Sequence, residues 1–390
     1  MDGSLSKEKL GVYAKDDETL VIELSEPDVM LLENLCHLSA LPVNRKYFEQ
    51  AKGQYGMTIN NFVTNGAFIV KVWDNEQFIL LRENKNYYRT KNVKISGINF
   101  HINRQEDKFE LLKKDKADAF ASTLEEIEKQ QKVGFRTEGT DNAVWAFVFN
   151  KNDDVFGNAH ITNSLSLDFN RESFADLLGI QRILTSNIVP PMARVMGERY
   201  TGNQVINRYN KNLAKEEMTK GLEELGIDKI KGKKLLIPEN SDLYAICQEI
   251  FQIWQRDLSF FIELEVCEND QYEQKLKDKD FDMAVIKVCS QTQSPYSVLS
   301  QFTKDNENNI IEYDNSEYEN LLEVARQGQD KKSIIDNYKK AEDMLLKSGS
   351  VIPLFAMADY YVIRDNVKNV EFYSYGNLAY FVDAYRATKK

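Results

Sequence analysis

Between residues 233 and 289 strand-like and helix-like hydrophobic periods take turns along the chain, and that alternation restricts the fold more than any other feature. Lys234-Leu235-Leu236-Ile237 predicts a short strand. Ser241 stands where it caps a helix in which Leu243, Ile246, Ile250 and Ile253 recur at helical spacing and form one apolar stripe. Ile262, Leu264 and Val266 then alternate with Glu263 and Glu265, a period of two. A more polar helix through Tyr272 to Leu276 and a strand from Phe281 to Cys289 complete a βαβαβ unit, whose right-handed crossovers make its sheet parallel.

The flanking regions read differently. Up to about residue 140, apolar and polar residues alternate between turn signals. Val21, Ile22 and Leu24 follow Lys15-Asp16-Asp17-Glu18, Ile69 to Trp73 follow Asn65-Gly66, and Phe78 to Leu81 follow Asp74-Asn75-Glu76. Antiparallel hairpins fit this pattern. An apolar strand is expected over Asn142 to Asn150. Two amphipathic helices carry Tyr318, Leu321, Leu322 and Ala325, and then Ile334, Ile335, Tyr338, Ala341 and Leu345, with Gly349 as the stop. Strands return at Val351 to Phe355 and Tyr360 to Ile363.

At 390 residues the chain exceeds what one core comfortably holds, so two lobes are expected. A net charge of -11 leaves no excess of Lys and Arg to neutralise phosphates, which argues against nucleic acid or an anionic membrane as partner. No apolar run reaches membrane-spanning length, and MDGSLSKEKL lacks the basic and hydrophobic segments of an export signal. Cys36, Cys247, Cys267 and Cys289 form no C-x-x-C pair, so neither zinc nor thioredoxin-like chemistry is supported. Buried free thiols are the expectation, with a disulfide left open.

Chemistry is hard to place in this chain. No G-x-S-x-G, H-E-x-x-H, G-x-x-x-x-G-K-[ST] or G-x-G-x-x-G occurs, and His37, His101 and His160 are far apart. With 61 Asp and Glu, close carboxylate pairs such as Asp16-Asp17 and Asp153-Asp154 carry no specificity and suit turns. Neither a catalytic role, a cofactor nor a metal is expected. Ligands of open parallel sheets bind beyond the carboxyl ends of the strands, which nominates Pro238 to Ser241 and the small, polar Cys289 to Pro295 segment. Aromatic residues are abundant. Trp145 is read either as core or as a pocket wall, and Phe372, Tyr373 and Tyr375 cluster near the end.

Several segments, in order, resemble the oligopeptide and dipeptide solute-binding family, the external receptors of ABC importers. They are LGVYAKDDETLVIELSEP, LPVNRKYFEQ, NNFVTNGAFIVKVW, ILLRENKNYY with KNVKISGINFHI, FNKNDDVFGNAHITNSLSLDFNRESFADLL, VPPMARVMG, FDMAVIKVCSQTQSP and SVIPLFAMADYYVI. A V-x-N-G turn, a Trp-ended strand and an N-x-x-Y-Y turn are the most specific of these. The resemblance implies an α/β, two-lobed, periplasmic-binding-protein-like fold, with the βαβαβ unit and a mostly parallel sheet in lobe two and an incomplete lobe one. Residues 1–35 are expected to be a remnant of an extra subdomain, 36–171 part of lobe one, 172–358 lobe two, and 359–390 the return to lobe one.

The same resemblance implies an extracytoplasmic, monomeric protein that binds oligopeptides between its lobes and hands them to permease subunits. Its implied ligand-binding residues are Asn150, Trp145, Lys287, Cys289, Ser290 and Gln291. Peptide main chain is expected to pair with the edge at Cys289 to Gln291. Aligned on Pro295, Gln291 stands where peptide-binding members place an Asp in a G-W-x-x-D type segment. A neutral amide supplies no charge for an α-ammonium. Lys287 is either an attractor of a carboxylate or a surface lysine, and Asn150 either a pocket or a hinge residue. A non-peptide small ligand, and a shortened, non-binding remnant acting as an interaction module, are the alternative readings.

Overall fold

A computed structural model describes the chain except residues 1–8, 75, 103–105, 132, 175–181, 203–208, 240, 374–378 and 389–390. The early hairpins form as expected. β1 (Val12–Ala14) pairs antiparallel with β2 (Leu20–Ile22), and β3 (Phe68–Asp74), β4 (Phe78–Glu83) and β5 (Gly97–His101) make an antiparallel sheet. The Asp74 carboxylate accepts the N–H groups of Glu76 and Gln77 and so closes the β3–β4 turn.

β6 (Ala119–Ser122) precedes β7 (Phe135–Phe149), which begins well before the predicted Asn142. The extension is made by pairing rather than by apolar pattern, because Phe135 to Glu138 lie against Arg364 to Tyr361 of a C-terminal strand. Then come α1 (Ala159–Leu167), β8 (Arg182–Leu184), the two-stranded hairpin of β9 (Arg194–Val195) and β10 (Glu198–Arg199), and α2 (Lys211–Leu225). Asn158 and Asn210 cap the two helices with their side-chain oxygens.

The βαβαβ unit is present: β11 (Lys233–Pro238), α3 (Ser241–Leu258), β12 (Ile262–Cys267), α4 (Asn269–Asp278) and β13 (Met283–Cys289). β11 lies between β12 and β13 and is parallel to both. The Ser241 side chain, expected to cap α3, lies outside the described residues. α5 (Ser316–Gln327) and α6 (Lys331–Lys347) follow the predicted stripes, and Gly349 takes the left-handed conformation (φ 72°) just beyond α6.

The two final predicted strands are one, β14 (Val351–Arg364). Met357, Ala358 and Asp359 interrupt the apolar alternation, yet β14 stays paired to β7 through them. Two irregularities mark this long pair. Leu354 is an extra residue on β14, and Asn142 is one on β7, where Ala143 faces Met357 but Asp141 faces Ala358. One end of the pair joins β13, antiparallel to β7, and the other joins β6, antiparallel to β14. Two strands thus run through both ends of the molecule.

Alternation on β7 feeds a separate core on each face of the sheet. Val144, Ala146 and Val148 pack with the 188–200 segment, α5 and α6. Trp145, Phe147 and Phe149 pack with α1, α2 and α3. There Trp254 of α3, fully buried, meets Phe147, Phe251 and Phe260 at ring-centroid distances of 5.6, 6.0 and 5.7 Å. The far end has a smaller core of Phe109, Leu112, Ile127 and Val362.

Candidate functional site

The carboxyl ends of β11, β12 and β13 lie together. Glu239 N–H, just past β11, donates to the carbonyl of Cys267 at the end of β12. The register of β13 on β7 sets Lys287 opposite Trp145 and Cys289 opposite Ala143, so these side chains line the last turns of the sheet. Ser290 and Gln291 follow directly. Five of the six implied ligand-binding residues are therefore neighbours.

Asn150 is not among them. Phe149 faces Met283, at the opposite end of the same pairing, about 20 Å along the strand from Ala143 and Cys289. The Asn150 side-chain amide donates to the carbonyls of Lys279 (3.1 Å) and Phe281 (2.8 Å), and the Asn150 backbone N–H to the carbonyl of Asp282. Those bonds fasten the turn entering β13. The sequence leaves Asn150 open as a pocket or a hinge residue; its side chain instead bonds the backbone of a turn, a use of Asn that no residue pattern distinguishes from either.

Trp145 is only 8% exposed, packs with the Phe147 core, and donates its indole N–H to the sulfur of Met357 at 2.9 Å. The Lys287 side chain is exposed, and no ion pair engages it among the described residues. Cys289 is exposed too, although it ends an apolar strand and was expected to be buried; the strand runs out into a polar loop there. Cys36 is exposed, Cys247 and Cys267 are buried, and all four thiols are free.

The loop after β13 holds itself in shape. Ser297 Oγ accepts the N–H groups of Gln291 (2.8 Å) and Thr292 (3.3 Å), and the buried Ser290 hydroxyl donates to Thr292 O. Gln301 Nε2 donates to the carbonyls of Cys289 (2.8 Å) and Ser297 (2.7 Å). Arg194 N–H reaches Gln293 O at 2.7 Å and ties the β9–β10 hairpin to the same loop. The expected main-chain edge is thus already partly engaged by Ser297 and Gln301. Sequence reasoning passed over both, and only the Ser- and Gln-rich run from 290 to 301 hinted at them.

Asp141 was also missed. It opens the apolar run of β7 and is 2% exposed, and neither carboxylate oxygen has a hydrogen-bond partner among the described residues. The extra residue Asn142 offsets the alternation of faces, which carries Asp141 beneath the hairpin that holds Met192 and Arg199. Burial pushes its carboxyl up to about 6, against weaker pulls from the Met192 backbone and the Arg199 guanidinium.

Elsewhere, His160 and Asp153 have structural duties. His160, half-buried, meets Glu217 at 2.6 Å, and Asp153 accepts the N–H groups of Val155 and Phe156 in its turn. No cluster of three metal-ligating side chains occurs among the described residues, and no helix among them is long and apolar enough to cross a membrane. Phe372 stacks on Tyr361 at 3.9 Å, while Tyr375 lies outside the described residues.

Comparison with known proteins gives this geometry a context. The oligopeptide-binding protein OppA of Bacillus subtilis is 25% identical over 98% of this chain and 72% of its own length. The dipeptide-binding protein DppE of the same organism is 22% identical over 94% and 68%. Among solved structures, the unliganded open form of the murein tripeptide-binding protein MppA superposes with a TM-score of 0.81 at 18% identity, covering 99% of this chain and 75% of that one. Listeria monocytogenes OppA bound to peptide gives 0.70 at 23% identity, over 98% and 76%. These likenesses establish the two-lobed periplasmic-binding-protein fold. The model of the bacterial extracellular solute-binding proteins, family 5, matches residues 2–309, and the chain belongs to that family.

Proposed function

We propose that this chain is the ligand-binding part of an extracytoplasmic receptor that takes up oligopeptides between its lobes and delivers them to the permease subunits of an ABC importer. It performs no chemical step on them. One observation carries the reading: Trp145, Lys287, Cys289, Ser290 and Gln291 converge where the strands of the βαβαβ unit end, beside the two strands that run through both ends of the molecule. Rotation about such a strand pair closes two lobes on a ligand.

In this reading Trp145 is the floor beneath the site and Lys287 a free cation at its rim. Ser290 and Gln291 present polar groups on a loop that Ser297 and Gln301 hold rigid. A loop fixed before binding costs less ordering entropy when a ligand arrives. Asn150 serves the turn before β13 rather than the ligand.

A second reading, of a small non-peptide ligand in the same place, is favoured by two features. Gln291 provides no charge for an α-ammonium, and the Cys289 carbonyl and Gln291 N–H are already hydrogen-bonded. Native mass spectrometry of the purified chain, followed by denaturation and identification of whatever is released, separates the readings. A released mixture of peptides supports the first. A single non-peptide compound supports the second, and a clean spectrum that stays clean after a peptide library is added removes peptide as the ligand.

A further inference from the structure

The β7–β14 pair contains a feature that lies outside the proposed ligand site. Asp141 sits there, buried and without a hydrogen-bond partner among the described residues, one position from the extra residue Asn142. Its surroundings come from both ends of the molecule. Met192 and Arg199 belong to the 188–200 segment, which carries the β9–β10 hairpin and is anchored on the βαβαβ side, where Tyr200 and Val189 bind Glu342 of α6 and Arg194 binds Gln293. Tyr360 belongs to the part of β14 that pairs with β6 at the other end.

Few charges face this carboxyl. Arg199 from β10 is the facing cation, exposed, and its Nε donates to Pro191 O at 3.0 Å. Tyr360 from β14 is the facing phenol. On β7 itself Glu138 is paired with Arg136 at 3.3 Å, and on β14 Asp359, opposite Thr140, is exposed. An ionised carboxylate left without a partner in such a place costs several kcal/mol, by order of magnitude, so ionisation favours any rearrangement that brings it a cation.

We propose that Asp141 is a proton-controlled latch at the hinge: uncharged, it holds the arrangement described here, and ionised, it draws Arg199 onto itself and turns the two lobes toward each other. Burial places the switch near pH 6. The hinge makes it effective, because Asp141 is carried by the β7–β14 pair at its offset, whereas Arg199 is carried by a segment tied to α6 and to the loop after β13, so closing the distance between them moves one lobe against the other.

Small-angle X-ray scattering of the ligand-free chain between pH 5 and pH 8 tests this, with wild type, Asp141→Asn and Arg199→Gln compared. The radius of gyration of the wild type should fall with a midpoint near pH 6. Asp141→Asn should stay at the low-pH value throughout. Asp168 and Glu342 also titrate above the usual carboxylate range, and the comparison with Asp141→Asn removes their contribution. An identical pH response in wild type and Asp141→Asn, or none in wild type, overturns the proposal. Should Asp141→Asn fail to fold, Arg199→Gln decides: the midpoint should move upward or the change disappear, and an unaltered transition sinks the idea.

Discussion

Gln301 donates its side-chain amide to the carbonyl oxygen of Cys289 at 2.8 Å, and so ties the end of β13 to the short helical turn that follows it. The same nitrogen reaches Ser297 O at 2.7 Å, and Ser297 in turn holds Gln291. Replacing Gln301 by Leu removes both donors without touching the core. At about 1 kcal/mol for each of the two lost hydrogen bonds, ligand affinity should fall by up to about thirtyfold. The melting temperature should change little. Titration calorimetry with the peptide mixture recovered from the wild-type protein measures this, and equal affinity in both proteins would show that the loop need not be rigid.

Periodicity made the lobe around β11 to β13 legible almost strand by strand, because apolar stripes of period two and 3.6 are imposed directly by burial. It failed where pairing, not burial, defines the element. Phe135 to Thr140 alternate weakly, and Met357 to Asp359 break the apolar pattern, so the continuity of β7 and β14 emerges only from their mutual register. Lys287, Cys289, Ser290 and Gln291 are nominated together through the family resemblance aligned on Pro295, and the end of β13 keeps them neighbours. Asp141 escaped notice because a charge heading an apolar strand reads as a strand end, and only the tertiary offset at Asn142 buries it. Ser297 and Gln301 act through bonds to backbone, which no residue pattern announces.

Stability should fall as pH rises from mildly acid to neutral. Glu342 on α6, 1% exposed, accepts hydrogen bonds from Val189 N (2.9 Å) and Tyr200 Oη (2.8 Å), yet burial pushes its carboxyl up to about 7. Asp168, also buried, is pushed up to about 7, and Asp141 to about 6. A carboxyl whose folded pKa is raised binds a proton in the native state that the unfolded chain releases, so its stability is lost as pH climbs from near 4 through 7. Asp257, held low by Arg256 and Lys211, works in the opposite sense, and its contribution is lost only in acid. Thermal melts should therefore peak near pH 4 and decline toward pH 7, with little further change to pH 8. Glu342→Gln should flatten that decline, and a melt rising steadily to pH 8 would contradict the assignment.

Asn150→Ala separates a structural asparagine from a ligand-binding one. The substitution strands the Lys279 and Phe281 carbonyls at the entry to β13 and should cost about 1–3 kcal/mol in chemical denaturation. Ligand affinity under native conditions should be unchanged, since the register holds Asn150 at the far end of the strand. A loss of affinity without a loss of stability would return Asn150 to the site.

The four free thiols report on the site directly. Cys36 and Cys289 are exposed, whereas Cys247 is fully buried and its thiol pushed up by burial, and Cys267 is 6% exposed. A maleimide should modify Cys36 and Cys289 rapidly in the native protein and the other two only after denaturation, as peptide mapping would reveal. Reactivity follows access to the thiolate, so a ligand seated against β13 must slow the reaction at Cys289 and leave Cys36 unaffected. Saturating the protein with its own recovered ligand should therefore protect Cys289 alone. If both cysteines react at their ligand-free rates, the ligand lies away from the β13 end, and Trp145, Lys287 and Gln291 lose their proposed roles with it.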